Sequence, residues 1–267
     1  MIEKMRTLDA AYWDSVSRRI ARSPLEREVA LYKKSEHLRL IKEWAGSLEG
    51  KKILKTDLFE EALGEDQFLF SLLDETQDVF GMDISPEFAG RAKRAALKSR
   101  LDFRKCVVMD VRNCAFADES FDLIISNSTL DHLAAPEVPK ALAELRRILK
   151  VGGLLILTLD NAHNPMYLAA HFVQKMTGLN KFYLGRCYSV SQAEGLIKKS
   201  GFAIEAARPF VAVYPPWTRL LRLLKETRHP WLQRCADLSV QRLYGRSCRK
   251  DGFSNSWFIA FKLKRTA

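Results

Sequence analysis

Short apolar runs alternate along this chain with longer stretches whose apolar positions recur at helical spacing, and most of the runs end on a polar or acidic residue. The alternation is clearest from Cys106 to Asp160. Cys106-Val107-Val108-Met109 ends on Asp110, and Phe121-Asp122-Leu123-Ile124-Ile125 ends on Ser126-Asn127-Ser128. Val138, Ala141, Leu142, Leu145, Ile148 and Leu149 predict an amphipathic helix over Val138–Lys150, stopped by Gly152-Gly153. Leu154 to Leu159 then reads as a strand buried on both faces, ending at Asp160. Buried strands alternating with covering helices predict a parallel α/β sheet, and ligands of such sheets collect at the carboxyl ends of the strands. Asp110, Asn127, Ser128 and Asp160 therefore share one edge.

The flanking pattern extends this scheme. Leu8, Ala11, Tyr12, Val16, Leu31, Leu38, Ile41, Trp44 and Ala45 fall near helical spacing, and Ser23-Pro24 is a helix-start signal. Residues 1–50 thus form a helical extension, packed on the sheet or closing over a substrate. Lys52 to Thr56 is the first strand, followed by a loop over Leu58–Gly64 and a helix to about Leu73. Asp78 to Met82 is the second strand, ending on Asp83, and Ser85-Pro86-Glu87 caps the next helix. Asp57, Asp83 and Asp110 lie 26 and 27 residues apart, one strand-plus-helix unit per acid. Beyond Asn161 to Pro165 come a mostly apolar helix near Met166–Met176, a helix opened by the capping pattern Ser191-Gln192-Ala193-Glu194, and strands over Phe202–Phe210 and Ser256–Lys264. Residues 51–208 with 252–267 make one α/β domain, and 209–251 is a basic helical insertion.

Composition narrows the class. The net charge of +11 is concentrated late: Pro209–Lys250 holds nine Lys/Arg against Glu226 and Asp237, whereas Met1–Gly50 holds ten against eight. Such a basic stretch suits an RNA grip or a peripheral membrane contact. No apolar run is long enough for a membrane span, and Met1 to Ala10 lacks the apolar core of a signal peptide. The five cysteines are scattered without a C-x-x-C pair, so reduced thiols, a cytoplasmic setting and no metal are expected.

The strand-end acids suggest a nucleoside. Asp83 is placed to accept hydrogen bonds from ribose hydroxyls, and Asp110 from an adenine amino group. Asp83 would equally serve a helix N-terminus, and Asp110 an Asx-turn before Arg112-Asn113. No G-x-G-x-x-G follows the first strand; Lys55-Thr56-Asp57-Leu58-Phe59-Glu60-Glu61 stands there instead, which disfavours a dinucleotide. A P-loop is absent as well. A cationic sulfonium nucleoside would prefer these acids.

Asp83-Ile84-Ser85-Pro86, Asp110-Val111, Phe116 to Ile124, and Glu144 to Gly153 together resemble class I S-adenosylmethionine-dependent methyltransferases over about Lys52 to Leu159. The resemblance implies a seven-stranded sheet with an antiparallel last strand. It also implies S-adenosylmethionine across the first strand ends, with Asp83 and Ile84 at the ribose and Asp110-Val111 at the adenine. That family's glycine-rich first loop is missing, so Lys55, Thr56, Asp57 or Glu60 would hold the methionine end, with Asp57 or Glu60 near its ammonium, and Asn127 and Ser128 complete the rim. His132 and His163 are the candidate general bases, each weighed against a packing role. Tyr183 and Tyr188 are candidates for lining an acceptor pocket. Ser126-Asn127-Ser128-Thr129 replaces the tetrad of base-amino methyltransferases, which argues against DNA. The expected function is methyl transfer to a small molecule. The alternatives are a non-catalytic binding protein of the same fold and an RNA methyltransferase using the basic insertion.

Overall fold

In a computed structural model, residues 9–20, 27–177, 183–212, 229–232, 234–235, 238 and 252–266 are described. Most of the basic insertion, and Ser23-Pro24, lie outside them. The core is one seven-stranded sheet in the order β3-β2-β1-β4-β5-β7-β6. Its parallel strands are β1 (Ile53–Lys55), β2 (Val79–Asp83), β3 (Cys106–Val108), β4 (Phe121–Asn127) and β5 (Leu149–Asp160). β7 (Ser256–Arg265) runs antiparallel between β5 and β6 (Phe202–Ala212). The seven strands, doubly wound sheet and antiparallel last strand are as expected. The order reverses between β1 and β4, and that switch point opens a crevice at their carboxyl ends.

Alternate residues of each strand feed opposite cores. Ile53, Leu123, Ile125 and Ile156 join Leu40 and Ile41 of helix α2 (Arg27–Ala45) and Ala89 and Ala92 of α5 (Pro86–Lys98) on one face. Leu54, Ile124, Leu155 and Leu157 meet α6 (Val138–Ile148) and α8 (Val190–Lys199) on the other. α1 (Ala10–Arg19) packs Val16 against Phe88 at the start of α5. No helix among the described residues is long and apolar enough to cross a membrane.

Several local expectations change. Leu58–Gly64 is not a plain loop: Phe59–Leu63 forms the short helix α3, and Leu69–Leu72 forms α4. Helix α6 stops at Ile148, before the glycines, because Leu149 already pairs with Phe121. Gly152 then takes φ +75°, a left-handed conformation that glycine accepts without penalty, where the β4–β5 register shifts. The capping residue of α8 is Ser189, whose box partner is Gln192, two residues ahead of the expected start. Leu31 points outward, 44% exposed. α2 instead buries Lys33 and His37 beside Val29, Ala30, Leu40 and Ile41. β6 continues through Pro209 to Ala212, two residues beyond the expected strand end at Phe210. The apolar helix after Asp160 is α7 (Pro165–Thr177).

Candidate functional site

The carboxyl end of β1 carries a buried ionic network. Lys55 is fully buried, and its Nζ donates to Asp57 O at 2.9 Å, Asp57 Oδ1 at 3.1 Å, Glu60 Oε2 at 2.8 Å and Glu61 Oε2 at 2.8 Å. α3 makes this possible, since its first turn presents Glu60 and Glu61 back toward the strand end. Lys33, from α2, donates to Glu60 Oε1 at 2.7 Å and lies 3.4 Å from Asp66 Oδ2. Burial opposes charge on both lysines, yet the surrounding carboxylates hold both pKa values above the usual lysine range. Burial also opposes charge on Glu60, and contact with two ammoniums keeps it below the ordinary carboxylate range. Two ammoniums face four carboxyl groups (Asp57, Glu60, Glu61 and Asp66), so the acids outnumber the cations by two. Burial and that surplus push Asp57, Glu61 and Asp66 upward. The expected external ammonium beside Glu60 thus meets a different arrangement: the cation at Glu60 belongs to the chain itself.

Next along the rim, Asp83 is buried and its two oxygens accept Leu58 N at 2.9 Å and Ser85 N at 2.8 Å. Burial lifts its carboxyl to about 6 despite those two donors. Ser85 caps α5 through Phe88 N at 3.1 Å, while its Oγ donates to Asp14 of α1. Asp14 also accepts Glu87 N at 3.1 Å. Ile84 is half-buried between them, and Val111 is buried behind β3. Asp110 forms the Asx-turn: Oδ1 accepts Arg112 N at 2.8 Å, and both oxygens accept the Arg112 guanidinium at 2.6–2.9 Å. These donors outweigh partial burial and hold Asp110 below the usual range. Arg112 thus occupies most of its acceptor sites, and the Asp110 side chain remains 32% exposed at the rim.

Across the switch point, Thr56 Oγ1 donates to Ser126 Oγ at 3.1 Å and lies 2.8 Å from Thr129 Oγ1. Asn127 donates to Glu60 Oε1 at 2.8 Å and accepts Thr158 Oγ1 at 2.9 Å. Its Oδ1 also lies 2.7 Å from His37 Nε2, while His37 Nδ1 lies 2.8 Å from the Lys33 carbonyl. Burial and the charge of Lys33 outweigh those two oxygens and hold His37 down at about 4, so the ring is neutral at pH 7. Ser128 Oγ lies 2.7 Å from Asp131 Oδ2 and 3.2 Å from Asp160 Oδ1.

The two candidate bases are not brought together. His132 packs edge-on against Trp13 of α1 at 5.0 Å, with burial holding it near 4, neutral at pH 7. His163 is exposed, and its Nε2 accepts Val190 N at 3.3 Å. Tyr188 is buried, and Tyr183 lies exposed beside Tyr12. α1 therefore bridges the rim, touching Ser85 through Asp14 at one side and His132 through Trp13 at the other.

Lys33 and His37 were not singled out in the sequence, yet both enter the site. Their signal was faint: two polar residues at i, i+4 on the apolar face of a predicted helix.

Residues 60–157 match the family model described as a methyltransferase domain. A probable methyltransferase, ltbC, from Aspergillus luteorubrus is 32% identical over 112 residues, 39% of this chain and 37% of that protein. The matched region thus spans little more than a third of that relative's length. Among solved structures, a S-adenosylmethionine-dependent methyltransferase of Thermotoga maritima, possibly a histamine N-methyltransferase, is 17% identical with a TM-score of 0.58. That alignment covers 89% of this chain and 91% of the other. Geranyl diphosphate C-methyltransferase of Streptomyces coelicolor A3(2), solved with Mg2+, geranyl diphosphate and S-adenosyl-L-homocysteine, is 10% identical with a TM-score of 0.57. It covers 87% of this chain and 78% of its own. At these identities the likeness is one of fold.

Proposed function

The chain has the Rossmann-like fold of class I S-adenosylmethionine-dependent methyltransferases, and from that premise we propose that it binds S-adenosylmethionine over the ends of β1 and β2 and methylates a small molecule. One observation carries this reading: four acids, Asp57, Glu60, Glu61 and Asp66, gather at the switch point around only two ammoniums. A buried acid surplus favours a cationic ligand and repels a pyrophosphate. The cofactor would supply an electrophilic methyl group on a sulfonium. Asp83 accepts two backbone donors and, with about four lone-pair sites on a carboxylate, keeps capacity for ribose hydroxyls. Asp57 keeps its side chain partly exposed, 17%, at the edge of the network and is our choice for the methionine end. α1 crosses this rim and would exclude water from the transfer. The acceptor is proposed to lie by Ser128 and the ends of β4 and β5.

A second reading has its own support. Lys55 and Arg112 fill, from within, carboxylates that a ligand would otherwise contact, which suits a protein of this fold that binds a partner without catalysis. The RNA alternative rests on the insertion, which lies outside the described residues.

Calorimetry with S-adenosylhomocysteine separates the first two. Saturable binding, weakened by Asp83→Ala by roughly 1.5–3 kcal/mol, about ten- to a hundredfold, supports the enzyme reading. Absence of any binding heat in the intact protein removes it and leaves the partner-binding reading.

A further inference from the structure

The end of β5, beside the proposed acceptor position, carries a group of side chains to which the methyl transfer assigns no role. Asp160 ends that strand and is buried. His171 projects from α7, and Cys187 lies in the segment before α8. His171 Nδ1 is 3.9 Å from Cys187 Sγ, and His171 Nε2 is 3.9 Å from Asp160 Oδ2. One donor atom from each of the three lies within 4.8 Å of the other two. The Cys187–His171 contact is a long sulfur hydrogen bond, whereas His171 Nε2 and Asp160 are too far apart for one.

The charge around the group points the same way. Asp131 is fully buried beside Asp160, and its Oδ2 accepts Asp160 N at 3.1 Å. Ser128 has one hydroxyl hydrogen to offer two carboxylates. Among the described residues, no lysine or arginine pairs with either acid; the nearest cationic candidate is His171 itself. Asp131 Oδ1, His171 Nε2 and Tyr188 OH are buried without a hydrogen-bond partner. Two buried carboxylates served by only the Ser128 and Tyr167 hydroxyls, with three unmatched polar atoms beside them, are costly in a protein alone. A divalent cation would balance that charge.

We propose that Asp160, His171 and Cys187 form a three-ligand site for a divalent metal of the zinc class. A thiolate, an imidazole and a carboxylate are the donors of a borderline-soft ion, whereas Mg2+ and Ca2+ prefer oxygen throughout. Bonds of about 2.0–2.3 Å bring tetrahedral ligands to roughly 3.3–3.6 Å from one another. The donor atoms here, up to 4.8 Å apart, close by up to roughly 1.5 Å to reach that, and His171, 16% exposed, has room to move. Three protein ligands leave a fourth position for water or substrate, the pattern of catalytic rather than structural zinc. Tyr167, hydrogen-bonded to Asp160, would orient the carboxylate from behind. The sequence argued against zinc because C-x-x-C spacing was missing. Here the ligands come from a strand end, a helix and a loop, a distribution that no short motif encodes.

The full chain, stripped with a chelator, is titrated with Co2+ as a spectroscopic probe and then with Zn2+. The expected result is one equivalent of Co2+ with a thiolate-to-metal charge-transfer band, bleached by Zn2+. Cys187→Ser abolishes the band, and His171→Ala and Asp160→Asn weaken Zn2+ affinity by more than about tenfold. No thiolate band in the unaltered protein overturns the proposal, whatever the folding of the variants. A band that persists in Cys187→Ser overturns it as well. Metal binding is read without S-adenosylhomocysteine, so it stands or falls apart from the cofactor reading.

Discussion

Replacing Lys55 by methionine tests how the rim is built. Methionine keeps the unbranched apolar stem, which passes over Phe68 with Nζ 5.0 Å from the ring centroid, and removes only the charge. The ammonium is fully buried with four oxygens within 3.1 Å, and Glu60 and Glu61 are themselves 4% and 0% exposed. Removing one partner of a buried ionic group leaves the other uncompensated, which costs roughly 3–5 kcal/mol. Against a total stability on the order of 5–15 kcal/mol, that is a large fraction. Urea unfolding followed by circular dichroism reads the loss as a lower midpoint at unchanged slope. The sign with pH is also fixed. In the native chain Glu60 is held low, so its contribution is present above the ordinary carboxylate pKa and lost as pH falls. In Lys55→Met the acids lose their cation and bind protons more readily when folded. The gap between the two proteins therefore narrows toward pH 4. Adding Glu61→Gln to Lys55→Met removes one stranded charge and restores part of the loss, a coupling of about 0.5–3 kcal/mol. A loss smaller than about 1 kcal/mol, the range of an exposed ion pair, would refute the buried network.

Two further outcomes follow from the same geometry. With its carboxyl lifted from 3.8 to about 6, Asp83 contributes stability that is full below 3.8 and lost as pH rises through about 6, worth roughly 3 kcal/mol. Unfolding free energies for the native chain and Asp83→Asn therefore diverge in favour of the native chain as pH falls from 7 to 4, and parallel curves would contradict the assignment. His37→Ala removes a ring stacked on Phe68 at 4.5 Å and edge-on to Phe210 at 4.8 Å, together with its contact to Asn127. It should cost about 2–4 kcal/mol in urea unfolding, and a change within about 0.5 kcal/mol would mean the ring is not built into the rim.

The features legible in the sequence were those with local causes. Ser85 and Pro86 start α5 through a side-chain cap and a preset φ, and both signals lie within four residues. The apolar runs of β4 and β5 are local in the same way. The contacts that give the site its character join distant positions. Lys33 reaches Glu60 across 27 residues, and His37 reaches Asn127 across 90. Spacing shows which acids stand at strand ends but not which cation arrives there. Asp110 illustrates the limit: its place after β3 follows from the apolar run, whereas its engagement by the Arg112 side chain does not. The glycines after α6 misled for a related reason. Strand pairing at Leu149 claimed the chain before the helix-breaking residues were reached.

The altered first loop acquires a physical meaning once these contacts are combined. A glycine-rich turn offers a ligand bare backbone N–H groups, which favour anions. Here Leu58 N is already given to Asp83, and the chain folds at once into α3, whose first turn carries Glu60 and Glu61. Acids in a first turn are favoured by the helix dipole, but two of them buried at a strand end need a cation. Lys55, the last residue of β1, supplies it, and Lys33 adds a second from the N-terminal extension. The two lysines leave the acids in excess, so the rim presents carboxyl groups where a glycine-rich turn would present donors. The departure from a glycine-rich turn therefore replaces backbone donors with an acid-rich network, and Lys33 and His37 make α2 part of that rim.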